Sequence, residues 1–203
     1  FGKPGEAKTA LEEAMKNPNY GLVNTTADAF NVKNKFNKEI IFALYYNKAN
    51  DTGHGYWYST TKPEEAQLTQ PAPVFRALYD ARDNRLPLIS EYTEDKKGTY
   101  LLNKWFDNRN DALKGNVVEN DFPHLRYADV VLMYAEALAE SGSSLGDALV
   151  WLNKTRTRAG LDALKAEDIP SNGAFIEALA DERGREFALE GHRWFDLVRL
   201  GLA

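Results

Sequence analysis

Apolar residues recur at a helical spacing at the start of the chain and again throughout its C-terminal part. Residues 4–15 predict a short amphipathic helix with a proline in its first turn. The same period predicts four more helices, over residues 125–140, 145–160, 174–190 and 192–200. The pattern therefore predicts a mainly helical protein.

The predicted helices at 125–140 and 145–160 are joined by a link of only a few residues. Two helices with so short a link must pack antiparallel, as a helical hairpin of the size found in tetratricopeptide repeats. Ser144 is a predicted N-cap of the second helix. Small residues line one side of the first helix and would let a neighbouring helix approach closely: Ala128, Ala135 and Ala139.

The middle of the chain follows neither the helical nor the strand period. Residues 40–46 are rich in β-branched and aromatic side chains and predict a buried strand or an extended segment. From about 47 to 122 the pattern is irregular, with one short predicted helix at 74–79 and one possible strand at 100–105. Loops this long are often functional. We therefore expect an all-α fold with a large irregular loop region and at most a short β element.

Composition limits the classes of function. The chain has 203 residues, with 25 Lys and Arg against 30 Asp and Glu, and 43% of its residues are hydrophobic. That is enough for one core, so residues 1–203 are expected to form a single domain. The acidic balance argues against a nucleic-acid partner. The absence of cysteine excludes disulfides, thiolate metal sites and cysteine nucleophiles. The longest apolar run, 40–46, is far too short to cross a membrane, and the start has no signal-peptide pattern.

Five segments, in order along the chain, resemble motifs of the SusD/RagB family. Three lie in the C-terminal part and two lie earlier; they are residues 37–42, 78–86, 122–138, 152–161 and 182–199. The stretch ERGREFALEGHRWFDLVR at 182–199 is the most specific of them. The match corresponds to roughly the C-terminal half of a typical family member, so the lipid-anchor segment and most of the N-terminal tetratricopeptide helices are expected to be absent.

The resemblance implies a fold, a function and a location. Proteins of this family are cell-surface lipoproteins of the outer membrane of Bacteroidetes, built on tetratricopeptide-like hairpins with long loops that carry the ligand site. They bind oligo- or polysaccharides without catalysis and act with a TonB-dependent transporter resembling SusC. The resemblance thus implies a non-catalytic glycan-binding subunit of a polysaccharide uptake system.

The loop after the predicted strand carries the residues that we expect to bind the glycan. Tyr56, Trp57 and Tyr58 are three consecutive rings among small and polar residues. Aromatic faces suit the apolar faces of sugar rings, while phenol and indole edges bond hydroxyl groups. Trp57 is the expected stacking residue, with Tyr56 or Tyr58 beside it and His54 or Asn50 offering hydrogen bonds. The alternative is that these rings form a local core beneath the loop.

Charged residues are densest between residues 181 and 199. A catalytic pair of carboxylates is one interpretation, since glycosidases use two. Helix ion pairing is the interpretation that we favour, with Asp181 four residues before Arg185. Arg183 falls in an apolar row and is expected to be buried and paired.

Other charged, histidine and tryptophan residues are also expected to be structural. The acids of the first hairpin helix, Asp129, Glu136 and Glu140, are predicted to pair with Arg156 or Arg158. The three histidines lie far apart, and residues 107–111 have an arginine where a calcium loop needs an oxygen donor, so no metal or cofactor is predicted. Trp151 and Trp194 are expected to be core or packing residues, and the place of Trp105 stays open.

Two other classes of function remain as alternatives. A tetratricopeptide-type scaffold would bind a peptide on its concave helix face rather than on its loops. A glycoside hydrolase would need two carboxylates that face each other across a cleft.

Overall fold

The fold is mainly helical, as the sequence predicts. The computed structural model describes residues 2–47, 72–89, 91–92, 100–101, 104–105 and 119–203. Within these residues the helices are α1 Pro4–Met15, α2 Thr26–Ala29, α3 Pro73–Arg76, α4 Leu86–Ile89, α5 Tyr127–Glu140, α6 Leu145–Arg158, α7 Asn172–Glu186 and α8 Arg193–Arg199. The strands are β1 Ile40–Leu44, β2 Glu91–Tyr92, β3 Tyr100–Leu101 and β4 Phe122–Arg126. β1 pairs with β4 and β2 with β3, both antiparallel.

The predicted hairpin is formed by α5 and α6, which pack against each other. In the link between them, Gly142 has a φ of +79°, a left-handed conformation that favours glycine. Ser144 is the N-cap of α6, as predicted, and its Oγ accepts a hydrogen bond from the Asp147 amide at 3.1 Å. The small residues of α5 are buried where its neighbours approach: Ala128, Ala135 and Ala139.

The main core lies where α7 and α1 pack against this hairpin. Phe175 and Leu179 of α7 are fully buried against it. α1 packs on α5, and the Tyr134 hydroxyl donates to Glu12 Oε1 at 2.8 Å. Trp151 packs edge-on against Tyr134, with ring centroids 4.8 Å apart, which confirms its predicted packing role.

Two predicted helix ends are wrong. Residues 122–126 are strand β4, so α5 begins at Tyr127 rather than at 125. Leu125 pairs with Phe42 and Arg126 with Ile40, so the pairing with β1 holds both residues in extended conformation. The predicted helix 174–190 ends at Glu186, because Leu189 adopts a φ of +67°, which no right-handed helix accommodates. The resulting turn directs the chain into α8.

The irregular region of 47–122 lies mostly outside the described residues. The predicted helix 74–79 is found as Pro73–Arg76, and of the possible strand at 100–105 only Tyr100–Leu101 is a strand. Trp105 is fully buried and stacks on Phe122, with centroids 5.4 Å apart and planes at 12°.

Candidate functional site

The five residues that we predicted to bind the ligand lie outside the described residues. They are Asn50, His54, Tyr56, Trp57 and Tyr58. The described chain reaches residue 47 and resumes at residue 72, so the structure defines the surface on which this loop begins.

The start of the loop is held to the fold by Asp121. Its Oδ1 accepts a hydrogen bond from the Tyr46 amide at 3.1 Å and from Lys35 Nζ at 2.8 Å. Lys35 Nζ also donates to the carbonyl oxygen of Tyr46 at 2.6 Å. Both charged side chains are mostly buried, with 19% of Lys35 and 12% of Asp121 exposed. Tyr46 is therefore fixed by both its amide and its carbonyl.

An aromatic pocket opens beside Tyr46. Its volume is about 560 Å³, and we call it the stem pocket; it is lined by Tyr46, Phe122, Phe187, Leu189, Gly191, Arg193 and Trp194. The rings of this wall are held by other rings. Phe122 stacks on the buried Trp105, and Phe187 stacks on His192 with centroids 4.8 Å apart. The pocket thus offers aromatic faces with one guanidinium at its edge.

The turn between α7 and α8 places Arg193 and Trp194 at this pocket. Gly191 has a φ of +86°, which suits glycine, and the chain reverses there. Arg193 Nη1 donates to the carbonyl oxygen of Ala180 at 2.6 Å. Gly184 leaves room for this contact, because a Cβ atom there would lie 2.8 Å from Arg193 Nη1. Trp194 is 67% exposed, so our expectation that it is a core or packing residue is wrong.

Behind the stem pocket lies a buried network of ion pairs around Arg126. Its Nε and Nη2 donate to the two carboxylate oxygens of Glu190, each at 2.8 Å. Its Nη1 donates to Glu39 at 2.5 Å and to Glu186 at 3.0 Å. Lys104 Nζ donates to the same Glu190 at 2.6 Å. The pairing of β1 with β4 brings Arg126 to Glu39, and the end of α7 supplies the other acids.

Two more arginines complete the network. Arg85 donates to Asp83, Glu182 and Glu186 at 2.7–3.1 Å. Arg158 donates to Glu39 and Glu186, each at 2.6 Å. These carboxylates are fully buried, so every one of them is paired with a cation.

The cations keep the buried carboxylates ionised. Burial raises the pKa of Glu186, but Arg158, Arg126 and Arg85 outweigh burial and hold that pKa well below its ordinary value. Burial is likewise outweighed at Glu190 by Arg126 and Lys104, which lower the pKa of that carboxyl. A general acid needs a raised pKa, so these groups suit a structural role and not the catalytic pair considered from the sequence.

The predicted role of Arg183 is confirmed. Its side chain is 4% exposed, and it pairs with Asp129 at 2.7 Å and with Asp196 at 2.8 Å. The guanidinium also lies 5.0 Å from the ring centroid of Phe187. Arg183 therefore ties α5, α7 and α8 together.

Several predicted ion pairs are wrong in their partners. Asp181 lies 3.8 Å from Arg193, and Arg185 pairs with Glu182 instead. The acids of α5 do not pair with Arg156 or Arg158. Asp129 binds Arg183, and Glu136 binds Arg199. Glu140 Oε1 accepts a hydrogen bond from Asn172 Nδ2, in the side chain.

Metal ligation finds no support in the part of the chain that the structure describes. No group of three His, Asp or Glu side chains there has the geometry to hold an ion. Residues 107–111, which superficially resemble a calcium loop, lie outside that part.

A second opening lies on the helical side of the molecule. This helix groove has a volume of about 1000 Å³ and lies between α1, α5, α7 and the end of α8. Ala7, Ala10 and Leu11 line it from α1 and Met133 from α5. Charged residues also line it, among them Glu6, Glu136 and Arg199.

Comparison with known proteins gives one family and a shared fold. A model of the SusD family matches residues 83–203, more than half of the chain. The starch-binding protein SusD of Bacteroides thetaiotaomicron is 35% identical over 102 residues, which cover 49% of this chain and 17% of that protein.

Two solved structures share the fold over nearly the whole chain. Surface glycan-binding protein A from Bacteroides uniformis has a TM-score of 0.77 at 23% identity, covering 98% of this chain and 45% of that one. Surface glycan-binding protein A from Bacteroides thetaiotaomicron, in complex with laminarihexaose, has a TM-score of 0.71 at 21% identity, covering 99% of this chain and 51% of that one. The chain thus spans about half the length of these structures and less of the starch-binding relative.

Proposed function

The chain belongs to the SusD family, and from that premise we propose that it is the ligand-binding part of a cell-surface protein that captures glycans without catalysis. The observation that carries this proposal is the aromatic stem pocket, which is lined by Tyr46, a residue that shortly precedes the segment in which the sequence predicts the ligand site. Family relatives named for binding starch and surface glycans support the class of ligand.

The stem pocket has the chemistry that sugar rings need. Sugar rings present apolar faces that pack on aromatic side chains, and hydroxyl groups that need hydrogen-bonding partners. Tyr46 and Trp194 offer aromatic rings. The indole of Trp194 is exposed to water at a cost in free energy, and a bound ligand that covered the ring would remove that cost. Arg193 is a donor at the pocket edge.

The loop beyond residue 47 completes the site in this proposal. Trp57 is the stacking residue, with Tyr56 or Tyr58 beside it, and His54 or Asn50 bonds the sugar hydroxyls. This assignment rests on the residue types of the loop and on its start at the clamped Tyr46.

The family supports further proposals about the whole protein. Residues 1–203 form one SusD-like domain, which is carried on the outer membrane by a lipid anchor and acts with a SusC-like TonB-dependent transporter. Among the helices of the described residues, none is long and apolar enough to cross a membrane.

The helix groove favours one competing function, a scaffold that binds a peptide. Its apolar lining from α1 and α5 would suit the apolar face of a helix. Peptide binding that Leu11→Asp abolishes and Trp57→Ala leaves intact would favour this function over glycan capture.

A glycan-array screen tests the proposal. The purified chain is expected to bind a restricted set of oligosaccharides, and Trp194→Ala to weaken that binding about tenfold. Phe195→Ala is the matched control, since Phe195 is the next residue, is 70% exposed and does not line the stem pocket. A chain that binds no glycan on the array, or a Trp194→Ala variant that binds as tightly as the control, would contradict the proposal.

A further inference from the structure

We propose that Phe36 and Tyr45 form a second sugar-stacking subsite next to the stem pocket, so that the ligand is an oligosaccharide spanning both. This inference rests on the proposed glycan-binding function and extends it to the length of the ligand. Phe36 lies between α2 and β1, and Tyr45 directly follows β1.

The two rings form an exposed, preorganised platform. Their centroids are 5.4 Å apart and their planes are inclined by 24°, so the rings are stacked. Phe36 is 72% exposed and Tyr45 49% exposed. Phe36 also has a φ of +55°, an unfavourable conformation for a residue with a bulky side chain. Strained residues of this kind cluster at binding sites.

Polar groups hold Tyr45 from the side of the fold. Lys35 Nζ lies 4.6 Å from the centroid of the Tyr45 ring, and the same ammonium is fixed by Asp121 at 2.8 Å. Asn47 Nδ2 donates to the Tyr45 hydroxyl at 3.0 Å. Lys35 and Phe36 both lie over the Tyr45 ring, so the apolar face offered to a sugar ring is that of Phe36. The Tyr45 phenol and the Asn47 side-chain amide beside the two rings can bond the sugar's hydroxyls.

The platform adjoins the stem pocket along the chain. Tyr45 belongs to the platform and the next residue, Tyr46, lines the pocket, so the Cα atoms that carry these two rings are about 3.8 Å apart. Lys35 contacts both, because it lies against the Tyr45 ring and donates to the Tyr46 carbonyl oxygen. One sugar ring covers one aromatic face, so a ligand that contacts both sites contains at least two sugar units.

Calorimetric titration with ligands of two lengths tests this inference. The probes are maltohexaose, laminarihexaose and cellohexaose, each with its disaccharide. Phe36→Ala is expected to weaken binding of the recognised hexasaccharide about tenfold and to change disaccharide affinity less than about twofold. Phe36→Leu keeps the apolar bulk and removes the ring, so it is expected to change the two affinities as Phe36→Ala does. This second variant tests the subsite even if the alanine variant folds poorly.

The control is Phe195→Ala, which removes an equally exposed ring away from the platform and should leave both affinities unchanged. If the unmodified chain binds a hexasaccharide and both Phe36 variants bind it equally well, the second subsite is refuted while the proposed function stands. An equal loss for hexasaccharide and disaccharide would also refute it, since Phe36 would then belong to the primary site. A chain that binds a different glycan on the array is titrated with that glycan and its disaccharide in the same way. If the unmodified chain binds neither these hexasaccharides nor any glycan on the array, the proposed function fails and the subsite with it.

Discussion

Replacing Arg126 by methionine should destabilise the fold strongly. The guanidinium is 1% exposed and makes five hydrogen bonds, to Glu39, to both carboxylate oxygens of Glu190, and to the carboxylate and carbonyl of Glu186. Methionine fills similar space but donates nothing, so buried carboxylates lose a cation.

The size of the stability loss depends on which cations still contact those carboxylates in the variant. Glu39 and Glu186 retain Arg158, and Glu190 retains Lys104, so none of them is left entirely unpaired. Breaking a buried ion pair by removing one partner costs about 3–5 kcal/mol. The free energy of unfolding of a typical domain is about 5–15 kcal/mol, so Arg126→Met should lose a large part of that stability.

Urea unfolding followed by circular dichroism at neutral pH measures this loss. The matched control is Arg82→Met, since Arg82 pairs with Asp80 and Asp162 on the surface, where ion pairs contribute little. Arg126→Met should lower the urea midpoint markedly and Arg82→Met should leave it unchanged. The penalty should shrink in acid, because a Glu190 that has lost Arg126 is protonated more easily. Equal midpoints for the two variants would refute the structural role of the network.

Three further predictions concern stability and binding. Arg183→Ala should lower the melting temperature by several degrees, because Asp129 and Asp196 lose their buried partner, and unchanged melting would mean that Arg183 contributes nothing to the packing of α5, α7 and α8. The lowered pKa values of Glu186 and Glu190 mean that their ionised forms stabilise the fold above the unfolded carboxyl pKa of about 4.3. The urea midpoint should therefore fall as the pH drops through that value towards the folded pKa, and a midpoint that rises in acid would contradict the shifts. Trp57→Ala should weaken glycan binding about tenfold, or about 1.4 kcal/mol, with nearly unchanged melting, whereas unchanged affinity with a large loss of stability would identify Trp57 as a core residue.

The helices could be predicted from the sequence because their signal is local. A period of 3.6 residues marks α1, α5, α6, α7 and α8, and a serine N-cap marks the start of α6. The errors lie at the helix ends, because contacts with residues distant in sequence determine where a helix begins and ends. Leu125 and Arg126 fit the helical pattern but pair with β1, whose residues lie far earlier in the chain.

The buried network could not be predicted, because its partners are distant in sequence. Arg126 and Glu190 are 64 residues apart, and Arg85 and Glu186 are 101 apart. The spacing of charged residues along the sequence indicates only pairs on the same helix. It therefore predicted Arg185 as the partner of Asp181. The apolar row around Arg183 did predict its burial, although not that Asp129 and Asp196 would be its partners.

The stem pocket was missed for a similar reason. Tyr46, Phe122 and Trp194 come from three separate parts of the chain and meet only in the folded molecule. Trp194 follows the helical pattern of its neighbours, which suggested a core position. The signal that could have been used is the SusD-like motif itself, in which this tryptophan lies three residues after Gly191, in the first turn of α8.

The central claim is that this chain binds a glycan and leaves it intact. Its most direct test is calorimetric titration of the purified chain with an oligosaccharide selected on the array, followed by chromatography of the recovered sugar. We predict saturable binding and a sugar of unchanged length. Absence of binding, or recovery of shortened sugar, would contradict the account.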